Sequence, residues 1–203
     1  MITLVNYGLG NIRAFVNIYK RLNISVTVAQ TRDELAGAQK IILPGVGAFD
    51  YAMSCLNDSG MRPELDALVL EKKVPVLGVC VGMQMMAQRS DEGNQPGLGW
   101  IDGEVKRFDE SCFSQRTHLP HMGWNDVTPL RTNTIFFDLP APRFYFLHSF
   151  HFVTKASENN LSMSEYGGPF VSGVQADNIF GTQFHPEKSH GWGIQLLRNF
   201  AEI

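Results

Sequence analysis

Along the first half of the chain, short apolar runs alternate with stretches of helical spacing. Ile2 to Asn6 reads as a strand, and the Gly8-Leu9-Gly10-Asn11 turn follows it. From Ile12 to Leu22 the apolar positions Ile12, Phe15, Val16 and Tyr19 share one side of a helix. Ser25 to Ala29 predicts a second strand. Thr31 and Glu34, three apart, mark a capped helix start. Lys40 to Leu43 predicts a buried strand running into Pro44-Gly45-Val46-Gly47. Phe49 to Asn57 and Pro63 to Lys72 have helical patterns, Val74 to Val79 is a further apolar strand, and Gly82 to Arg89 predicts the next helix. Continuous apolar strands separated by helices imply a parallel sheet buried on both faces.

The second half changes character. Leu98 to Arg107 reads as loop and strand. Phe136-Phe137 and Phe144-Tyr145-Phe146-Leu147 read as short aromatic strands. Phe170 to Ala176 and Ile179 to Phe184 predict a hairpin about the Ala176-Asp177-Asn178 turn. Residues 192 to 202 predict a closing amphipathic helix. The expected fold is therefore α/β: three layers, a mostly parallel central sheet flanked by helices, with additional antiparallel strands in the second half. At 203 residues, with no clear linker or repeat, a single domain over 1–203 is expected.

Composition narrows the function classes. Hydrophobic residues are 44% and charged residues 18%, an ordinary globular balance. A net charge of −3 without a basic stripe argues against nucleic acid as a partner. No run approaches the roughly 18 apolar residues of a membrane span, and no signal-like segment precedes the first strand, so a cytoplasmic location is expected. Cys55, Cys80 and Cys112 are an odd, scattered set without ligand-like spacing; no metal and no cofactor are expected. Cys112 stands in a polar loop and reads as an exposed thiol.

One of these cysteines stands apart. The strand Val76-Leu77-Gly78-Val79 ends in Gly78-Val79-Cys80-Val81-Gly82, a Gly-x-Cys-x-Gly turn before a helix. That is the cysteine form of the nucleophile elbow, in which small neighbours let the backbone crowd together and the side chain project. A thiol at such a bend sits beside a helix N-terminus, with N–H donors near a developing oxyanion. The bland alternative is a small buried residue at a tight turn. A thiol nucleophile needs a base, and the base an orienting group. Gly181-Thr182-Gln183-Phe184-His185-Pro186-Glu187 offers both: a strand delivers His185 at its end, and Glu187 is two residues on. Alone, that pair is as well read as a solvated loop. Pro44-Gly45-Val46-Gly47, after a buried strand, can turn a backbone N–H toward a substrate carbonyl, although a tight strand-to-helix turn explains it too.

These motifs together resemble the class I glutamine amidotransferases, and within them the glutaminase subunits of imidazole glycerol phosphate synthases. The resemblance runs in order over nearly the whole chain. It includes Asn6-Tyr7-Gly8-Leu9-Gly10-Asn11, Leu43-Pro44-Gly45-Val46-Gly47-Ala48-Phe49, Leu77 to Gln84, and Gly97 to Val105. Leu119-Pro120-His121-Met122-Gly123-Trp124-Asn125, Tyr145 to Phe150 and Gln183 to Ser189 complete it. It implies a Cys80–His185–Glu187 triad that hydrolyses the side-chain amide of glutamine. It implies an oxyanion and glutamine site around Val46, Gly47 and Val81, with Gln84, Ser149 and Phe150 holding the amino-acid end. It further implies a (β/α)₈-barrel cyclase subunit as partner in a heterodimer, with Trp124, Tyr145 and Lys188 at or near the interface. Ammonia would pass to that subunit, which makes imidazole glycerol phosphate and an aminoimidazole carboxamide ribotide in histidine biosynthesis. Val81 stands where leucine is frequent, Asn6 where an acid is usual, and Phe150 where tyrosine is common. Two other readings remain: a paralogous subunit feeding ammonia to a different synthase, such as one that amidinates a surface sugar, or a stand-alone cysteine hydrolase.

Overall fold

The structure, a computed structural model, describes residues 1–113 and 118–203; of Cys112 it describes the backbone alone, so the reading of its thiol lies outside the described residues. Four strands and their intervening helices build the first half. These are β1 (Ile2–Val5), α1 (Ile12–Arg21), β2 (Val26–Ala29), α2 (Arg32–Leu35), β3 (Ile41–Gly45), α3 (Phe49–Asp58), α4 (Arg62–Asp66), β4 (Val76–Cys80) and α5 (Val81–Gln84). Short strands β5 (Arg89–Ser90) and β6 (Gly103–Arg107) follow, then β7 (His121–Asp126), β8 (Thr128–Pro129), β9 (Arg143–His148) and β10 (Phe150–Thr154). The chain continues through β11 (Asn160–Glu165), β12 (Pro169–Ala176), β13 (Ile179–Thr182) and α6 (His190–Glu202).

The main sheet runs in the order β2-β1-β3-β4-β13-β12-β10-β6-β5, with β11 added to β12 and β8 to β11. From β2 to β13 all pairings are parallel; at β12 the direction reverses and the pairs to β10, β11 and β13 are antiparallel. The expected α/β architecture is the one observed. Its parallel centre is legible because β1, β3 and β4 are buried at every position, as strands covered on both faces must be. Helices seal the faces: Phe15 and Tyr19 of α1 are buried, and the Tyr19 hydroxyl donates to the Leu197 carbonyl of α6 at 3.2 Å. Thr31 caps α2 as its spacing predicts, accepting from the Glu34 N–H, while the Glu34 carboxylate turns back to accept from the Gln30 N–H at 2.7 Å. No helix of the described residues is long and apolar enough to cross a membrane.

Two expectations need correction. The helix predicted from Gly82 to Arg89 stops after α5. The carbonyls of Met85, Met86, Ala87 and Gln88 instead accept from the N–H groups of Leu98, Ile101, Gly99 and Gly97, so a returning loop takes the acceptors a helix would have used. Phe136-Phe137 is a turn and not a strand; Phe136 packs edge-on against Phe144 and Phe184 while Phe137 is exposed. The hairpin β12–β13 forms as expected, with Ala176 facing Ile179 across the turn.

For function the decisive feature is register. Gly45 of β3 lies opposite Cys80 of β4, and Val79 lies opposite Thr182 of β13. Three parallel strands thus end together, and the segments leaving them meet at the carboxyl edge of the sheet, where α/β folds place their sites. A separate antiparallel pair, β7–β9, crosses this edge, with Trp124 facing Tyr145 and His121 facing His148.

Candidate active site

Cys80 closes β4 with φ 56° and ψ −114°, a backbone conformation L-residues seldom adopt. Strain of this kind costs on the order of 1–3 kcal/mol and persists only where packing enforces it. The packing here is visible. A Cβ at Gly82 would lie 2.0 Å from the Leu43 carbonyl oxygen, and one at Gly78 would lie 2.7 Å from the Gly82 carbonyl oxygen. Only glycine on both sides lets β3, β4 and α5 approach closely enough to force the bend. The Cys80 sulfur points into a cavity of about 260 Å³, just below the range of about 300–1,000 Å³ that drug-sized ligands occupy.

That cavity gathers residues from distant parts of the chain. Its walls include Val46 and Gly47 beyond β3, Val81 and Gln84 of α5, and Ser149 and Phe150 where β9 passes into β10, together with His185 and Lys188. Each predicted cavity residue is on this wall. Glu187 stands behind it: the Nδ1 of His185 and the Glu187 Oε1 are 2.9 Å apart, both side chains being 3% exposed. The other Glu187 oxygen has no hydrogen-bond partner among the described residues, so its charge is not drawn elsewhere. With Nδ1 taken, Nε2 is left for the sulfur. Burial by itself would lower the His185 pKa. Hydrogen bonds and charge interactions with Cys80 and Glu187 outweigh it and raise the value to about 10. The imidazole is therefore held as a cation between a sulfur and a carboxylate, an arrangement suited to attack by a thiolate and to protonation of a leaving amine.

The backbone of His185 is fixed as firmly as its ring. Its N–H donates to the Tyr145 carbonyl at 2.9 Å, and its carbonyl accepts from the Ser189 hydroxyl at 2.6 Å. The same hydroxyl accepts from the Tyr145 N–H at 3.0 Å. Tyr145 in turn lies beneath Lys188, whose Nζ is 5.8 Å from the ring centroid, and edge-on to Trp124 at 6.4 Å. Trp124 also stacks on His190 and neighbours Trp192. The three predicted interface residues thus form one aromatic, basic patch beside the cavity, with Trp124 39% exposed and Met122 and Leu147 exposed around it.

Four further residues matter here, two of which, Glu92 and Gln183, sequence reasoning did not single out. Glu92 lines the cavity and is the one acidic side chain on its wall among the described residues; its Oε2 accepts from the Phe49 N–H at the start of α3. No local signal marks it, because it arrives by tertiary contact. His148 is also on the wall, and the buried His121 packs behind it, with Nδ1 of His121 3.0 Å from Nε2 of His148. His148 Nδ1 is 2.8 Å from the Phe150 carbonyl oxygen and must donate to it, so His121 donates to His148 and both rings are neutral. Burial lowers the His121 pKa to about 4; burial, then the nearby His121, drives His148 well below its usual value. The fourth is Gln183, whose amide nitrogen lies 3.8 Å from the Cys80 sulfur. Its position two residues before His185 is the signal that could have found it, since that spacing puts side chains on one side of an extended chain.

Comparison with known proteins gives the family. Residues 3–203 match the family model "Glutamine amidotransferase class-I". The chain is 57% identical to an imidazole glycerol phosphate synthase subunit HisH of Bdellovibrio bacteriovorus and 49% identical to one of Leptospira interrogans, covering 100% of both chains in each case. It is 44% identical, again over 100% of both chains, to a HisH 2 subunit of Pseudomonas aeruginosa. Among solved structures its fold is similar to a glutamine amidotransferase (TM-score 0.76, 21% identity, 99% of this chain and 97% of that one). It is also similar to PurLQS of Thermotoga maritima (TM-score 0.73, 18% identity, 99% and 96%). This chain belongs to the class I glutamine amidotransferases and, within them, to the HisH family of imidazole glycerol phosphate synthase subunits.

Proposed function

We propose that this chain is the glutaminase of a two-subunit synthase, hydrolysing glutamine to glutamate and ammonia on Cys80, His185 and Glu187. The observation that carries the reading is the imidazole of His185 set between the elbow cysteine and a buried carboxylate at 2.9 Å. The Cys80 thiolate attacks the side-chain amide carbon. Negative charge moves onto the amide oxygen, which backbone N–H groups at Val81 and Gly47 receive. His185 gives its proton to the departing ammonia and leaves a glutamyl thioester. Water, deprotonated by the same ring, then releases glutamate and restores the thiolate.

The amino-acid end of glutamine carries both charges. On this reading Glu92 takes its ammonium and Lys188 its carboxylate; both line the cavity. Both amide hydrogens of Gln84 are used, on the Phe150 carbonyl and on Gln183 at 3.1 Å each. Gln84 therefore has only its carbonyl oxygen to offer, which also suits the ammonium. Ser149 and Phe150 close the remaining wall.

Ammonia released to water at neutral pH is mostly protonated and no longer a nucleophile. A partner docked on the Trp124–Tyr145–Lys188 patch gives it a dry exit. In the histidine-pathway reading that partner is a (β/α)₈-barrel cyclase producing imidazole glycerol phosphate and the carboxamide ribotide. The alternative from the sequence is ammonia delivery to a different synthase. Identifying the chain that co-purifies separates the two. The test of the chemistry is Cys80→Ala with the partner present. Glutamine hydrolysis is expected to vanish while the ammonia-fed partner reaction continues; undiminished glutaminase turnover would overturn the assignment.

A further inference from the structure

We infer that Gln183 is a second hydrogen-bond donor to the nucleophilic sulfur, and that the Phe150 carbonyl fixes its polarity. The inference rests on the reading of Cys80 as the nucleophile. Gln183 is fully buried, and its Nε2 lies 3.8 Å from the Cys80 Sγ, within reach of a hydrogen bond to sulfur.

An amide can present either its oxygen or its nitrogen, so the orientation must be argued. The Phe150 oxygen is a backbone carbonyl and can only accept. The Gln84 atom 3.1 Å from it must therefore be the nitrogen. That nitrogen has one hydrogen left, and the Gln183 atom 3.1 Å away must accept it, which makes it Oε1. The other end of the Gln183 amide, the one facing Cys80, is then necessarily NH₂. His148 donates to the same Phe150 carbonyl at 2.8 Å, so the acceptor that sets the direction is itself held in place.

The direction matters chemically. A thiol Sγ can donate weakly to the Leu147 carbonyl at 3.9 Å. A thiolate has nothing to donate and needs donors, and Gln183 supplies one besides His185. A donor to sulfur stabilises the thiolate over the thiol and fixes its lone pairs toward the cavity. It also cannot leave with the proton, as His185 does when it turns to the leaving ammonia. Gln183 therefore keeps the sulfur oriented through the step in which the imidazole changes partners.

The test is alkylation of the full-length chain by iodoacetamide, read at Cys80 by peptide mass spectrometry across a pH series. Gln183→Met keeps the length of the side chain and removes the donor. Alkylation at neutral pH is expected to slow about tenfold, the scale of a hydrogen bond to a charged group, and its pH profile to move toward alkaline values. With the partner present, kcat for glutamine should fall while KM stays within about twofold. Should Gln183→Met fail to fold, Gln183→Glu carries the test: it keeps the size and the acceptor for Gln84 but loses the N–H, and is expected to be slowed at least as much. Wild-type alkylation rate and pH profile in a folded variant would overturn the inference. Because alkylation reads the sulfur without glutamine or partner, that outcome is distinct from an active Cys80→Ala, which would instead remove the nucleophile assignment.

Discussion

The backbone N–H of His185 donates to the Tyr145 carbonyl at 2.9 Å, an isolated antiparallel bridge between the candidate base and the exposed strand pair β7–β9. Ser189 spans the same two residues, donating to the His185 carbonyl and accepting from the Tyr145 N–H. Tyr145 faces Trp124 across the strands and carries Lys188 over its ring. A load on the outer aromatic face is thus one peptide away from the base. On the proposed reading, partner docking and catalysis share this mechanical element.

Trp124→Ala should weaken partner binding by about tenfold, since a part-exposed tryptophan at the centre of an apolar patch is the usual anchor of an interface. Titration calorimetry against the cyclase measures it. Iodoacetamide alkylation of Cys80 in the isolated variant should stay at the wild-type rate. Unchanged affinity would move the interface away from this face.

Glu187→Gln should lower kcat in the complex by about 10²–10⁴, with little change in KM, by analogy with loss of the orienting carboxylate in other triads. The His185 value of about 10 gives this a pH signature. Because the folded value is raised above the usual 6.5, the stability drawn from holding the imidazolium is fully present below 6.5. It is lost as pH rises toward about 10. Urea midpoints between pH 7 and 10 should fall in the wild type and be flatter in Glu187→Gln.

On the acid side the sign reverses. His121 and His148 are kept neutral by burial, with His121 lowered to about 4. The unfolded chain takes up protons below about 6.5 that the folded pair refuses, so stability falls as pH drops from there. At about 1.4 kcal/mol per pH unit for each group, His121 alone removes about 3 kcal/mol between 6.5 and 4. His121→Gln, which still offers a donor to His148, should be less sensitive between pH 7 and 5 in urea unfolding. An equal acid slope in both proteins would show that other groups set it.

Gly82→Ala should be destabilising by about 3 kcal/mol, the upper end for overpacking, or should prevent folding outright. The new Cβ would lie 2.0 Å from a backbone oxygen of β3, and neither partner is a flexible side-chain tip. Urea unfolding measures the loss. A variant as stable as wild type would mean that β3 and the elbow move apart freely, and the strained Cys80 backbone would need another cause.

How much of this was legible in the sequence follows from what each feature depends on. The parallel strands were readable because burial on both faces leaves unbroken apolar runs. The elbow was readable because its glycines, its cysteine and the strand before it are contiguous. His185 and Glu187 were readable for the same reason, being two residues apart. By contrast, β7 and β10 take their strand character from partners far away in the chain, and α5 ends early because a later loop claims the carbonyls of the four residues that follow it. Phe136-Phe137 looked like a strand because aromatic residues suit any buried turn as well as a pleat. Glu92, the His121–His148 pair and the donor role of Gln183 exist only once separate segments fold together.

Gly47 provides the sharpest test of how the site is switched on. Up to Gly45 the strand is held: Gly45 is paired opposite Cys80, and the buried Tyr7 hydroxyl donates to the Pro44 carbonyl at 2.7 Å. Beyond it Val46 and Gly47 are exposed, and Gly47 has φ +86°. That conformation is open to glycine and costs an L-residue about 1–2 kcal/mol. A Cβ added there meets nothing within 4 Å, so Gly47→Ala tests backbone conformation without a steric clash. If the Gly47 peptide must turn its N–H to the oxyanion when the partner docks, confining φ should lower partner-stimulated kcat by about 10–100-fold, near the loss of one oxyanion donor. Alkylation of Cys80 should be unaffected, because His185 and Gln183, not Gly47, are the groups set against the sulfur. The isolated wild-type chain should likewise be a slow glutaminase that forms its thiolate normally. Rapid turnover by that chain alone, or full stimulation of Gly47→Ala, would show that the donor already stands in its working position.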